Sequence, residues 1–581
     1  MNFEYADTPG DLNLVSPLLM DLAPDKNEVS IRIDFTVSDA LKLARDFNAR
    51  RNPDTTTLYD IVASEIHTYY GFVYSKVSSD GKKAMRLDDG GVIKTLLRVD
   101  MISAQRHVDD EEDNQATKLS KLLHAYYTTY VRETDKESFD NVEDAIRDSS
   151  ETLTGTYQKV FVGLMERLRD FGYPQGNTKP ELTIRAEMDS KTIYRDNARI
   201  YYAAPGQDAD GEPLYDLPER YNGLGYKNLI FIVLQLESFR AAVEADPDSR
   251  PGVHLICIEE PEVHLHPQMQ SVFIQEISKI LNASAEPTAQ VFLSTHSPHI
   301  VADSGFTPIR YFKRNLNGVS IKDLAVLKAV IHRRQVSKGV SPDQIETTVD
   351  ETLAFLRRYI KLAHCDLLFA DKAVLVEGQV EKLLMPAMIK QISNVAEYES
   401  LASQFVTVLE IGGAYAHKIE PLLDFIGLPT LVVADLDSAK KDRTKCPVAE
   451  GEISTNAVLK YWLRDKTDLA GLRAATPQEK IVDRVCVAFQ TEENGRCGRS
   501  FEEAFVYANL EWLQENIDVF STSRASIEKA VTAGLADAAY ELSRKVRKVD
   551  FALDLMTADG WRVPEYIQEG LMWLTLEEPR M

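Results

Sequence analysis

The sequence predicts an α/β protein in two parts, and three observations carry that prediction. The stretch "HLICIEEPEVHLHP" (His254 to Pro267) runs an apolar segment into two adjacent carboxylates, Glu259 and Glu260, and a proline. From about residue 366, strand-like segments alternate with helical ones ("AVLVEGQVEKLL", "FVTVLEIGG", "PTLVVADLDSA", "RVCVAFQ"), as in a mostly parallel sheet with helical crossovers. A length of 581 residues also exceeds what one hydrophobic core organises. The boundary between the parts, 1–365 and 366–581, is expected near residue 366.

In order along the chain, "EVSIRIDFTV" (28–37) alternates as a half-buried strand does. The segment from Tyr69 to Ala104 reads as strands joined by Asp-Gly and Gly-Gly turns. Between about 109 and 172 the pattern is helical and predicts an arm, or a helical layer on the same domain. "PELTIRAEMD" and "ARIYYAA" return to strand, and a loop rich in Pro, Gly and Asp (Pro205 to Pro218) follows. "NGLGYKNLIFIVLQLESF" then turns into a helix, ahead of the opening strand and of "AQVFLSTHSPHIV".

Composition narrows the class. The chain is 44% hydrophobic and 27% charged, ordinary for a globular protein. No apolar run approaches the ~20 residues that span a bilayer, and no signal-peptide pattern opens the chain, so a cytoplasmic protein without a membrane contact is expected. The five cysteines are scattered and read as free thiols. A net charge of −24 weighs against coating nucleic acid by bulk electrostatics. It leaves DNA open as a substrate, because bound metal ions supply positive charge locally.

The first constellation is half of an ATP site. Gly223 and Gly225 stand at a helix start, where free N–H groups and the helix dipole suit phosphate. Glu259 ends a buried strand within reach of a metal-bound water, and Glu260 is placed as general base for the attacking water. His296, just past another apolar strand, is placed to meet a γ-phosphate. This is the order of an ATP-binding-cassette head. Its phosphate-cradling loop, G-x-x-x-x-G-K-[ST], occurs nowhere in the 581 residues.

The second constellation is acidic. Glu377 ends a strand and Glu381 follows four residues later, so both can face one side of the next helix. Asp435 and Asp437, two apart in extended chain, share a face. Gly412 and Gly413 at another strand end admit close approach of backbone to a phosphate or metal. Four carboxylates at one sheet edge repel each other unless cations neutralise them, and one or two Mg²⁺ (or Mn²⁺) ions are the natural occupants. Two ions about 3.5–4 Å apart activate water and stabilise a leaving phosphodiester oxygen. Glu502 and Glu503, at a helix start, are further ligand candidates. Lys548 and Lys545, read as one turn apart on one helix face, are candidates to stabilise developing negative charge.

The order of "IEEPEVHLHP", "LSTHSPH", "LVEGQVEKLL", "EIGGAYAH" and "VVADLDS" resembles the OLD (overcoming lysogenization defect) family, as does the closing "DGWRVPEYIQEGLMWL". That resemblance implies an ATP-binding-cassette ATPase head followed by a Toprim nuclease domain. It implies that Glu377, Glu381, Asp435, Asp437 and Glu502 are metal ligands and that Lys548 is the catalytic lysine. It further implies a homodimer or larger homo-oligomer joined through the ATPase half. The activity implied is metal-dependent cleavage or nicking of DNA in anti-phage defence, as in Gabija-type and retron-associated effectors. A helicase or a reverse transcriptase with its nucleic acid is the implied partner.

One departure stands out. Only 27 residues precede the strand at 28–37, and a strand, P-loop and helix need about 30 or more. The P-loop portion of the head is therefore expected to be missing from its front. Either the start is internal to a longer chain, or ATP binding is lost and the head serves as scaffold. The readings that compete with a nuclease are an ATP-gated scaffold or clamp that binds nucleic acid without cutting, and a primase or topoisomerase. An intact carboxylate set favours cutting, and neither a topoisomerase region with its active-site tyrosine nor a zinc-ribbon cysteine cluster is present.

Overall fold

The structure is a computed structural model. It describes residues 1–6, 8–20, 27–50, 57–88, 90–104, 127–128, 132, 135–160, 201–203, 216–218, 223–244, 250–281, 289–315, 318–337, 341–360, 365–412, 415–466 and 468–576. They fall into two compact units, Met1–Thr295 and His296–Met581.

In the first unit an antiparallel sheet runs β1 (Asn2–Glu4), β2 (Glu28–Val37), β3 (Tyr70–Val77), β4 (Ala84–Arg86) in that order. The strand expected over 28–37 is β2, with Ser30 opposite Val77 and Val37 opposite Tyr70. Its first half buries Val29 and Ile31 against Val15, Leu18 and Leu96, whereas Ile33 and Phe35 are exposed. The Asp80–Gly81 turn forms as expected, with Gly81 at φ 71. Gly91 does not close a hairpin. It opens the short helix Gly91–Leu96, which leads into β5 (Leu97–Ile102).

Of the expected helical arm, the described residues contain the helix Lys136–Val160; the rest of 109–172, apart from 127–128, 132 and 135, lies outside them, as does "PELTIRAEMD". β6 (Tyr201–Ala203) pairs with β7 (Asp216–Pro218), so the loop expected over Pro205–Pro218 ends in strand. β5, β8 (Val253–Glu259) and β9 (Gln290–Ser294) make a parallel sheet with β8 in the centre. Alternation decides which of its residues face the helices. Ile102, Ile256 and Ile258 pack on Ile232 and Leu236 of the helix Leu224–Glu244, and on Phe273 and Ile277 of the helix Pro267–Leu281.

The second unit opens with a hairpin, β10 (Arg310–Asn315) and β11 (Gly318–Asp323), and the helices Leu327–Ser337 and Pro342–Tyr359. Its main sheet has five strands, and β15 (Ser438–Ala439) pairs with β16 (Ile453–Ser454) apart from it. β12 (Lys372–Val376), β13 (Val406–Glu410), β14 (Thr430–Val433) and β18 (Val485–Ala488) are parallel, and β17 (Ile481–Val482) is antiparallel at one edge, in the order β13-β12-β14-β18-β17. β12 and β14 are buried at every position, as continuous apolar strands covered on both faces must be.

One face packs on residues that include Leu327, Ile331, Val349 and Leu356, which precede the expected boundary. Packing therefore divides the chain at 295/296, whereas the motifs divide it at 365/366. The other face carries the helices Gln379–Ser393, Phe501–Ala508 and Glu565–Leu576. A Cβ on Gly570 would meet Leu431 Cδ1 at 2.6 Å, so the last of these helices lies directly on β14. The fully buried Lys372 holds its end by donating to the carbonyls of Leu574 and Thr575, the latter at 3.3 Å. Parallel strands direct their C-terminal ends to one edge of the sheet, where ligands of such folds bind.

Candidate functional site

Glu377, Asp435 and Gln490 follow β12, β14 and β18 at that edge. Glu381 lies in the first turn of the helix Gln379–Ser393, and Glu502 in that of Phe501–Ala508, both buried. The structure therefore brings Glu377, Glu381, Asp435, Asp437, Glu502 and Lys548 together as interacting charges.

Asp435 takes hydrogen bonds on Oδ1 from the Phe501 N–H (3.0 Å) and from Gln490 Nε2 (2.7 Å), and among the described residues none reaches Oδ2. The Leu436 N–H donates to Gln490 Oε1 at 2.6 Å, so the amide must turn its NH₂ toward Asp435. Asn456 works in the same way. Its Oδ1 caps the helix Ala457–Trp462 by accepting from Val458 N–H (2.7 Å), which aims Nδ2 at Glu377 Oε1 (2.6 Å) and the Asp435 carbonyl (2.7 Å).

Glu502 Oε2 accepts from Ser500 Oγ at 2.8 Å, and its Oε1 meets Lys548 Nζ at 2.8 Å. Asp437, in the left-handed region at φ 47, pairs with the Arg499 guanidinium, which also donates from Nε to the Ser438 carbonyl at 3.1 Å.

Burial, followed by mutual repulsion, sets the protonation of this cluster. Glu377 is pushed up to about 7 by burial, opposed by the Asn456 hydrogen bond and aided by Asp437 and Glu381. Glu381 is likewise pushed up to about 7, chiefly by burial and then by Glu502. Asp435 stands well above the carboxylate range through burial and the charges of Glu381, Glu502, Glu377 and Asp437. Burial works against the charge on Lys548, but attraction to Glu502, Asp435 and Glu381 outweighs it and raises its pKa.

The donor set has the hard-oxygen chemistry that a divalent cation takes. Five carboxylates come together with one lysine and one arginine among them, and among the described residues no hydrogen bond reaches Asp435 Oδ2. Among the described residues no three of the side chains already stand in coordination geometry. The polar partners hold them as neighbours and not as a closed ligand shell.

Two candidates lie elsewhere. Glu503 is fully buried, but its oxygens accept from the Arg499 N–H (2.8 Å) and the Tyr507 hydroxyl (2.9 Å), so it braces Arg499 and does not join the cluster. Lys545 ends the helix Leu535–Lys545 and pairs with Glu541 at 3.4 Å, while Lys548 begins the helix Lys548–Met556. The two lysines are therefore not one turn apart on a single helix, because the backbone breaks at Val546 and Arg547 into extended conformation. Gly412 is open around its Cα, and Gly413 lies outside the described residues. Sequence reasoning missed Asn456, Gln490 and Arg499. The first two carried signals: Asn456 is an N-cap residue before an apolar helix, and Gln490 is a polar residue closing an apolar strand.

In the first unit Glu259 ends β8 and accepts from the Ala104 N–H at 3.1 Å. Glu260 sits at φ 41, and its N–H donates to the Ser294 carbonyl at 2.9 Å, tying the turn to β9. Gly225 lies in the first turn of the helix Leu224–Glu244, where a Cβ would meet the His264 carbonyl oxygen at 2.5 Å. Asn228 adds a hydrogen bond to the Val263 carbonyl at 2.7 Å. Gly225 is thus needed for packing the helix onto the 260–266 turn, whereas Gly223 is open. His296 follows β9 and opens the second compact unit.

Comparison with known proteins agrees with this layout. Residues 35–301 match the family described as AAA ATPase domain, and residues 368–437 match the TOPRIM domain of overcoming lysogenization defect protein-like proteins. The chain therefore carries an AAA ATPase domain followed by an OLD-like TOPRIM domain. Endonuclease GajA of Bacillus cereus (strain HuB5-5) is 26% identical over 513 residues, which cover 83% of this chain and 69% of that protein. Old nuclease of Escherichia phage P2 is 23% identical over 57% of this chain and 51% of its own length. OLD nuclease of Thermus scotoductus is 25% identical over 38% and 36%. The OLD-like Toprim match ends at Asp437, so Asn456, Gln490, Glu502 and Lys548 enter the site from beyond it.

Proposed function

We propose that this chain is a divalent-metal-dependent DNA endonuclease of the OLD type, acting by nicking or double-strand cleavage in anti-phage defence. The observation that carries the reading is the convergence of Glu377, Glu381, Asp435, Asp437 and Glu502 with Lys548 at one sheet edge. A nucleic-acid binding module gains nothing from five buried or half-buried acids.

Glu377, Glu381, Asp435, Asp437 and Glu502 would hold Mg²⁺ or Mn²⁺, in a one- or two-ion arrangement. When bound, such ions lower the pKa of water and offset charge on the phosphodiester. Asn456 and Gln490 orient the Glu377 and Asp435 carboxylates toward the edge. Lys548, held by Glu502, places a fixed cation where the scissile phosphate gains negative charge. Arg499 neutralises Asp437 and, braced by Glu503, keeps it in its left-handed turn.

ATP is the ligand class of the first unit, with Glu259 toward the metal-bound water and Glu260 as general base; His296, expected from the sequence to meet a γ-phosphate, belongs to the second unit. Assembly as a homodimer or larger homo-oligomer, a helicase or reverse-transcriptase partner and a cytoplasmic location belong to the same reading. Among the described residues no helix is long and apolar enough to cross a membrane.

The test is plasmid cleavage in Mg²⁺ by the full chain and by Glu377→Ala and Asp435→Ala. Both variants should lose cleavage while keeping their circular dichroism spectrum. Cleavage by both variants at the parent's rate would remove the metal assignment. Binding without cutting by the parent chain would favour a scaffold.

A further inference from the structure

Three aromatic rings form a continuous stack beside the carboxylate edge of the second unit. Phe355 and Tyr359, four residues apart on the helix Pro342–Tyr359, have centroids 5.2 Å apart and planes inclined by 19°. The Tyr415 ring lies on Phe355 at 5.4 Å and 7°, close to parallel. The stack is fixed to the sheet, because the Tyr359 hydroxyl donates to the Glu410 carbonyl at 3.2 Å. Glu410 ends β13 and stands opposite Val376, the residue before Glu377. Adjacent strands lie about 5 Å apart, so the stack is anchored one strand away from the strand that delivers Glu377.

Among the described residues, ring packing accounts for one face of Tyr415. Phe355 covers that face, and the residue remains 50% exposed. Large aromatic rings more often tuck into the core or pack fully between neighbours. Arg358, on the same helix, projects about 60° from Phe355 around the helix axis, is exposed, and forms no ion pair among the described residues. A half-exposed stacked ring, an exposed guanidinium group flanking it and a phosphodiester-directed acidic edge are the parts of a single-strand binding groove, in which bases stack and phosphates meet cations.

We propose that Tyr415, backed by Phe355 and Tyr359, is a stacking platform for an unpaired nucleobase, with Arg358 contacting an adjoining phosphate. The platform positions the strand on the metal edge and selects single-stranded or locally opened DNA, because a base in an intact duplex has no free face to offer. The inference rests on the reading of the edge as a nuclease of nucleic acid. Its test reads binding and not cleavage, so the two can fail separately.

The full chain, with Tyr415→Ala, Tyr415→Phe and Tyr415→Trp, is titrated in EDTA against a fluorescein-labelled oligothymidine and a blunt duplex of equal length. Tyr415→Ala should weaken single-strand binding by about tenfold, the effect of losing one base–aromatic stack, with duplex binding within about twofold. Tyr415→Phe and Tyr415→Trp should bind the single strand as the parent does, with an unchanged melting temperature. The proposal is overturned if the parent fails to bind the single strand. It is also overturned if Tyr415→Ala loses both ligands equally or neither, or if Tyr415→Phe falls as far as Tyr415→Ala. Absence of DNA cleavage by the parent in Mg²⁺ would remove the nuclease reading and leave the binding result standing.

Discussion

Lys548 shows what a single residue must satisfy at this centre. Its ammonium reaches Glu502 at 2.8 Å while the side chain stays about half exposed, so it can meet both the acids and a phosphate. An interaction made only as charge develops lowers the rate without changing affinity when it is removed. Lys548→Ala should slow single-turnover DNA cleavage on the order of 10²-fold with little change in DNA binding. Lys545→Ala, exposed and paired with Glu541, should leave the chemical step unchanged and weaken binding at most slightly, in a salt-dependent way. A rate defect confined to Lys545→Ala would reverse the assignment. Asn456 and Gln490 act through the carboxylates they orient, and are positioning residues in this sense.

At the scale of elements, the two glycines that open the helix Leu224–Glu244 have different jobs. A side chain on Gly225 would strike a backbone oxygen of the turn that follows Glu260, and neither the turn nor the helix can yield cheaply. Gly225→Ala should cost about 1–3 kcal/mol by overpacking, despite the better helix propensity of alanine. Gly223→Ala meets nothing within 4 Å and should be close to neutral. Urea denaturation of both variants checks this. Equal stability would mean that the helix and turn are not in contact in solution. The break between the helices Leu535–Lys545 and Lys548–Met556 matters equally, because it lets Lys548 start a new helix whose first turn reaches Glu502.

For the whole molecule, the acids concentrate in one of two compact units, and this couples metal, pH and stability there. Glu377 and Glu381 have folded pKa values raised to about 7 from an ordinary 4.5. The folded state then holds more protons than the unfolded one between those values. Their contribution to stability is full below about pH 4.5 and is lost as pH rises through about 7. A divalent ion needs the deprotonated carboxylates and reverses that loss. The increase in melting temperature from EDTA to Mg²⁺ should therefore be several degrees near about pH 8 and small near about pH 5.5, and it should vanish in Asp435→Ala. An equal increase at both pH values would place the ion elsewhere. Taking the difference at each pH cancels the titration of every group remote from the ion.

The sequence by itself pointed to the α/β class, the two-part order and the acids to look at, because each signal is local. An apolar strand must end somewhere, and a carboxylate at that end is visible without knowing its neighbours. Glu377, Asp435 and Glu259 were legible for that reason, and the paired acids at 502 and 503 as acids at a helix start. The family resemblance singled out Glu502, but only the tertiary structure gave the physical difference: Glu502 faces Lys548, whereas Glu503 faces Arg499 and Tyr507 on the other side of the same turn. Adjacent residues on a helix point about 100° apart, and nothing local says which direction is the edge of the sheet. Asn456, Gln490 and Arg499 were hidden for a related reason. Their roles are hydrogen bonds across 21 to 79 residues of chain, and such partners are chosen by strand order and crossover, not by spacing along the sequence. The boundary at 295/296 was decided in the same way, since residues before 366 complete the apolar face of a sheet whose strands all come later.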